Sequence, residues 1–247
     1  MSRRIQIILL IFIVLVGVRI YLIYRARNAP APTSNAPVAN PNFSADDYVV
    51  PTQVHAYDLK SAKEALDGKT VWVKAGNQVY FYPYSGGHVD YRHSAVLLPP
   101  LQKLQISNVV QATAPGTKAE AVAPGVRVRA EQVLAVFRTD DDKKTYAAPI
   151  GASHGGDYTL YINETFYFED PHQLYKHWPT DVWRAIDQHQ AKPGMNELQV
   201  ALALGIGVPQ GSGDYGNRTL QFDNNGHPVK VTFEHNHATN IQNAAGS

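Results

Sequence analysis

The sequence predicts a chain of three parts: one N-terminal transmembrane helix, a mostly β middle domain, and a C-terminal α+β unit of order helix, helix, strand, strand. Three observations predict it. Residues 5–18 read IQIILLIFIVLVGV. Between residues 70 and 168, short β-branched and aromatic runs recur between turn residues. After residue 169, helix-start signals precede an Asn-Gly turn flanked by alternating apolar residues. The bounds that follow are 1–27 for the anchor, 28–45 for a linker, 46–169 for the β-rich domain and 170–247 for the α+β unit.

In the opening run only Gln6 is polar, and IYLIY follows Arg19. Residues 5–24 thus offer the roughly 20 helical residues that span about 30 Å of hydrocarbon. Arg19 can snorkel, and Tyr21 and Tyr24 suit the interfacial belt. A cleaved signal peptide competes with this signal-anchor reading, with Arg3 and Arg4 before an apolar core. Pro30 and Pro32 interrupt the small residues a cleavage site needs. Arginines flank both ends of the run, so charge leaves the orientation balanced. Long domains translocate largely regardless of flanking charge, and the expectation is a single-pass membrane protein with its body outside the cytoplasm, in the periplasm. Its partners are then the bilayer, through residues 5–24, and an envelope protein.

Composition narrows the function. Without the five arginines of the first 27 residues, the chain holds 17 basic and 21 acidic residues. A mildly acidic body lacks the basic face that nucleic acid requires. There is no cysteine, which excludes disulfides, thiolate metal sites and a lipidated cysteine. Residues 28–42, NAPAPTSNAPVANPN, form an extended spacer.

A short helix is expected near residues 61–66, with Ser61 and Glu64 at capping-box spacing and Gly68 after it. TVWVK (70–74) and QVYFY (78–82) flank Ala75, Gly76 and Asn77, a hairpin pattern. Further runs at 126–129, 132–137, 144–148, 158–162 and 166–168 complete the β-rich region, which predicts a small barrel of SH3-like type.

Beyond Glu169, Asp170-Pro171 pairs an N-cap with proline at the first helical position. Pro179 starts a second helix carrying Val182, Trp183 and Ile186. A further start follows Pro193-Gly194: Asn196 caps, Gln199 completes a capping box, Met195 and Val200 have the spacing of a hydrophobic staple, and Gly205 ends the helix. Residues 217–222 and 229–233 then form a hairpin around Asp223, Asn224, Asn225 and Gly226.

This last unit resembles the SmpA/OmlA outer-membrane lipoprotein domain, the fold of the BamE component of the β-barrel assembly machinery. The resemblance rests on Lys192-Pro193-Gly194-Met195-Asn196-Glu197-Leu198-Gln199-Val200, on Ala203-Leu204-Gly205, on Leu220-Gln221-Phe222 and on the Asn-Gly turn. It implies an α+β adaptor that binds envelope proteins and catalyses nothing. The chain departs from the family in lacking its lipidated cysteine and in carrying the β-rich region.

Candidate chemistry falls into four groups. His235 and His237 flank Asn236, and period two would put both on the face of Val231 and Phe233. His88, Asp90 and His93 form H-x-D-x-x-H beside Gly86 and Gly87. Both are metal-ligand types, yet a frayed strand end and an ordinary β turn have the same letters, and neither set offers three ligands at a motif spacing. Ser153, His154 and Asp157 gather hydrolase residue types, but adjacency in sequence is no evidence for a triad. Tyrosines cluster at 80–91 and 158–168, which fits either a binding surface or β propensity.

The expectation is therefore no catalytic residue, no cofactor and no metal. The protein acts as a membrane-anchored adaptor, with Lys230, Thr232 and Glu234 on the outward face of the C-terminal hairpin as partner-binding candidates. Two alternatives stand beside it: an SH3-like module binding cell wall or peptide, and a metal-dependent hydrolase using the histidines.

Overall fold

Strands of nine and ten residues, rather than the short strands of a small barrel, organise the middle of the chain. The computed structural model describes residues 17, 19, 21, 44–75, 79–93, 96–123, 126–140, 142, 144–224 and 226–243. The chain divides into two compact units, Met1–Ser44 and Ala45–Ser247.

The first unit brings a correction. Among the described residues no helix is long and apolar enough to cross a membrane. Most of residues 5–24 lies outside the described residues; Gly17, Arg19 and Tyr21 are helical. The sequence supplies a physical reason. Between Arg4 and Arg19 lie 14 uncharged residues, about 21 Å of helix, against about 30 Å of hydrocarbon. The transmembrane anchor, the bilayer contact and the single-pass periplasmic placement all rested on that span and are withdrawn. The spacer, residues 28–42, lies outside the described residues.

The second unit opens with a 3-10 turn at Ala45–Tyr48 and an extended segment leading to α1 (Leu59–Leu66). Asp58, not Ser61, caps this helix. Asp58 Oδ1 accepts from the Ser61 amide at 2.7 Å, and Ser61 Oγ accepts from the Asp58 amide at 3.0 Å. The Ser61 hydroxyl, then its amide, hold the Asp58 carboxyl below the ordinary carboxylate range.

The strands that follow are β1 (Thr70–Val73), β2 (Tyr80–Ser85), β3 (His88–Val89), β4 (Val96–Leu97), β5 (Lys103–Ala112), β6 (Glu120–Ala123), β7 (Val126–Val128), β8 (Ala130–Arg138), β9 (Tyr146–His154) and β10 (Asp157–Leu160). Next come α2 (Ile162–Thr165), β11 (Phe166–Tyr167), α3 (Pro171–Leu174), α4 (Thr180–Asp187) and α5 (Glu197–Leu204). β12 (Gly207–Pro209), β13 (Thr219–Phe222), β14 (Val229–Glu234) and β15 (His237–Asn243) complete the elements among the described residues.

The fold is thus mostly β with short helices. Its main sheet is nine-stranded, in the order β11-β1-β5-β8-β9-β2-β3, with β10 on β9 and β4 on β2. This corrects the SH3-like barrel. A barrel closes its last strand on its first, whereas β11 and β3 are the two ends of this order. The β1–β2 hairpin is corrected too: β1 pairs with β5 and β11, and β2 with β9, β3 and β4. A spacing of three turn residues does not choose a partner. β5 offers β1 a ladder in which Leu104 and Ile106 are buried together with Val71 and Val73.

One face of this sheet buries Val133, Ala135, Phe137 and Ile150 with Ala62 and Leu66 of α1. The other carries Leu134, Val136 and Ala147 under Tyr84 and Val89. A second core lies between α4, α5 and a four-stranded sheet of order β12-β13-β14-β15. Trp183, Ile186, Val200, Leu202, Phe222, Val231 and Phe233 fill it. Burying a side chain of this size stabilises by about 1.5–3 kcal/mol before entropy is counted. The expected two-strand hairpin is therefore the middle of a sheet, with β14 paired on both sides.

Residues 45–57 bridge the two cores. Val49 packs on the second, Val54 and Ala56 on the first. The Asn163 side chain pairs with Val54 as a strand would: Oδ1 accepts from the Val54 amide and Nδ2 donates to its carbonyl, both at 2.9 Å. The Thr52 amide donates to Glu169 Oε2 at 3.2 Å.

Candidate functional site

The polar groups converge at the N-terminus of α5. A helix start leaves amides without intrahelical partners, and here side chains meet those of Asn196, Glu197 and Gln199. Asn196 Oδ1 accepts from the Gln199 amide at 2.8 Å, and Gln199 Oε1 accepts from the Asn196 amide at 2.9 Å. Met195 and Val200, both buried, flank this capping box as a staple. At the far end Gly205, at φ +92°, donates its amide to the Ala201 carbonyl. Asn196→Ala removes the cap and is expected to cost about 1 kcal/mol in chemical denaturation. An unchanged midpoint would show that the Asn196 cap contributes nothing to the stability of this turn.

Glu197, the first helical residue, is 4% exposed. Its carboxylate accepts from the Gly216 amide at 2.9 Å and from Arg218 Nε at 3.1 Å, and Arg218 Nη2 also donates to it. The Glu197 amide donates to Asn236 Oδ1 at 3.1 Å. Asn236 in turn donates its own amide to the Gly216 carbonyl at 2.8 Å. The guanidinium of Arg218 lies 5.7 Å from the ring centre of exposed Tyr215.

Gly194 and Met195 seat the helix start on β15. The Gly194 amide donates to the Ala238 carbonyl at 2.9 Å, and the Ala238 amide to the Met195 carbonyl at 2.8 Å. His237 Nδ1 is 3.1 Å from the Gly194 carbonyl. From the other side Asn196 Nδ2 donates to Asp46 Oδ2 at 2.6 Å. The other Asp46 oxygen accepts from Trp178 Nε1 at 2.5 Å and contacts His177 Nε2 at 2.6 Å. Trp178 stacks on Tyr175 with ring centres 4.4 Å apart. The arrangement is a collar of amides, carboxylates and aromatic rings around one helix end.

The other candidates do not converge. His235 and His237 do not share a strand face. His235 and Asn236, at φ +50° and +60°, form the tight turn between β14 and β15. Asn tolerates that conformation without glycine, the signal that would have placed the turn. His88 is exposed on β3, while Asp90 Oδ1 accepts from the Arg92 amide and Oδ2 contacts His93 Nδ1 at 2.8 Å. The Arg92 amide first, then His93, hold the Asp90 carboxyl low. Among the described residues no three His, Cys, Asp or Glu side chains stand where they could hold a metal.

Ser153 Oγ accepts from Gln111 Nε2 at 2.8 Å, and His154 faces Glu120 at 3.8 Å. Ser153, His154 and Asp157 belong to a hairpin turned by Gly155 and Gly156, not to a triad. The tyrosine clusters are mostly packed: Phe166 and Tyr167 are core residues, Phe81 meets Phe137 and Tyr146 edge-on, and Tyr91 donates to Gln132 at 3.0 Å. Burial, then Tyr82, pushes the Tyr91 hydroxyl up to about 12.

Lys74 is half-buried, donates to the Asn163 carbonyl at 2.5 Å and lies over the Tyr167 ring. Burial pulls its pKa down. The cavity it lines with Leu98, Pro100, His189 and Leu204 holds about 50 Å³, room for a water or two.

The partner-binding candidates lie together. On β14, Val229, Val231 and Phe233 face the core, while Lys230, Thr232 and Glu234 face outward. Thr232 Oγ1 bonds Thr219 Oγ1 across the sheet at 3.0 Å. Gly226, at φ +81°, turns the chain into β14 and donates to Asp223. The outward row is not a free strand edge, because β13 and β15 flank it. One edge of the sheet is β15, whose first residues are covered by Gly194 and Met195; the other is β12. From Thr239 to Asn243, no strand pairs with its outer side among the described residues.

No family model matches the chain, and comparisons with curated proteins and with solved structures return no match.

Proposed function

We propose that the protein is a non-enzymatic, protein-binding adaptor whose contact surface is the C-terminal sheet: the outward row of β14 and the outer edge of β15. The edge carries the reading. A strand edge offers unpaired amides and carbonyls to an incoming chain. Its register is fixed here by the tight turn at residues 235–236 and by the Gly194–Ala238 bond. The resemblance of the C-terminal unit, residues 170–247, to the SmpA/OmlA domain supports the same surface. The polar groups that sequence spacing offered for catalysis are engaged in turns, caps and cross-strand contacts.

The test is a crosslinking pull-down comparing the natural chain with the double variant Lys230→Glu/Glu234→Lys. Both residues lie on the solvent side of the sheet, so stability should change by no more than about 0.5 kcal/mol. Reversing both charges opposes whatever charge pattern the partner presents. Partner recovery is expected to fall at least fivefold with the melting temperature nearly constant. Undiminished recovery would remove this face from the reading.

A further inference from the structure

We infer that residues 45–57 are an intramolecular strap that sets the rigidity of the binding edge, acting through Asp46. The inference rests on the adaptor reading for its meaning but not for its test. Its basis is a continuous hydrogen-bonded path. Asp46 Oδ2 holds Asn196 Nδ2 at 2.6 Å. Asn196 caps α5 through the Gln199 amide at 2.8 Å. Glu197, next in the chain, receives the Gly216 amide, and its own amide reaches Asn236 in the β14–β15 turn. Met195, preceding Asn196, receives the Ala238 amide at the start of β15.

The two Asp46 oxygens have separate duties. Oδ1 faces Trp178 and His177 from the segment after α3; Oδ2 faces Asn196. Asparagine at position 46 keeps one acceptor and replaces the other with an amide that cannot accept. With Oδ1 still under Trp178 Nε1, Asp46→Asn sets an NH₂ against the Asn196 NH₂. The strap stays on its aromatic seat while the link to the collar is cut. At its far end the strap is held by Asn163 on Val54 and Glu169 on Thr52, contacts that do not touch the collar.

Amide hydrogen exchange on the full chain, without any partner, tests the coupling. In Asp46→Asn, segments covering Gly216, Asn236 and Ala238 are expected to exchange about tenfold faster, while β5 and β8 stay within a factor of two. In Asn163→Ala, which loosens only the far end, the collar segments are expected to stay within a factor of two. Unchanged collar exchange in Asp46→Asn overturns the inference. So does equal acceleration throughout the chain, which would make Asp46 a general stabiliser, or collar loosening in Asn163→Ala equal to that in Asp46→Asn. Because exchange is read without a partner, its failure leaves the Lys230 and Glu234 experiment standing, and failure of that experiment leaves the coupling standing.

Discussion

Arg218→Ala is expected to lower the melting temperature by roughly 10 °C, a loss of about 3 kcal/mol. Truncation strips the guanidinium from the Glu197 carboxylate and leaves it the Gly216 amide, inside a site where the residue is 4% exposed. Removing one partner of a buried pair costs about 3–5 kcal/mol because the other charge stays desolvated. The Arg218 side chain is 27% exposed, which puts the effect at the lower end. Thermal melts of Arg218→Ala, Glu197→Gln and the double variant form a cycle. The double variant should lose clearly less than the sum of the two singles, since a neutral amide at position 197 no longer needs the guanidinium. Strict additivity would mean that the two groups do not interact in solution.

Gly216→Ala should cost a similar amount, about 3 kcal/mol, through geometry alone. Gly216 stands at φ +78°, and an added Cβ would lie 2.9 Å from Asn236 Cβ and 3.1 Å from Asn236 Cα. The positive φ costs about 1–2 kcal/mol for a residue with a side chain, and the overlap adds about 1–3 more. Asn236 cannot yield cheaply, because its amide and its side chain are both spent on the collar. Gly194→Ala is the control. Its φ is +87° but nothing lies within 4 Å of the added carbon, so only the conformational cost of about 1–2 kcal/mol applies. Equal losses in urea denaturation for the two variants would show that the Asn236 contact is relieved.

The parts of this fold legible in the sequence are those whose information is local. Asn196 and Gln199, three residues apart, specify a cap that closes within one helical turn. Asp170 accepts from the His172 amide across Pro171, which likewise closes within one turn. Pairing across the main sheet is different in kind. The partner of β1 lies beyond β2, β3 and β4, and no spacing rule chooses it. β15 reads HATNIQN, too polar to stand out, and it orders because Val229, Val231 and Phe233 already carry the core on β14. The collar was half visible. Its helix start could be read from the letters, but Glu197 and Arg218 are 21 residues apart in sequence, and nothing in that interval announces an ion pair. Asp46, in a segment without periodicity, gave no sign at all, because its partners are side chains far along the chain.

That remoteness has an order to it. Moving backward along the strap, Val54 finds its partner 109 residues later, Thr52 117 residues later, and Asp46 at 131 to 150 residues. A ribosome releasing roughly 5–20 residues per second would present these partners one after another. Asp46 would then wait on the order of 10–30 s before Asn196 exists to be bound. Among the bonds of the strap, the one from its first residues therefore waits longest for its partner. Val49 and the aromatic side chains of the second core lack part of their cover until Phe222, Val231 and Phe233 have followed. A nascent chain interrupted before Asn163 would hold an undocked segment at residues 45–57, and the stepwise loss of proteolytic susceptibility there as Asn163, Glu169, Trp178 and Asn196 emerge would mark how far synthesis had gone.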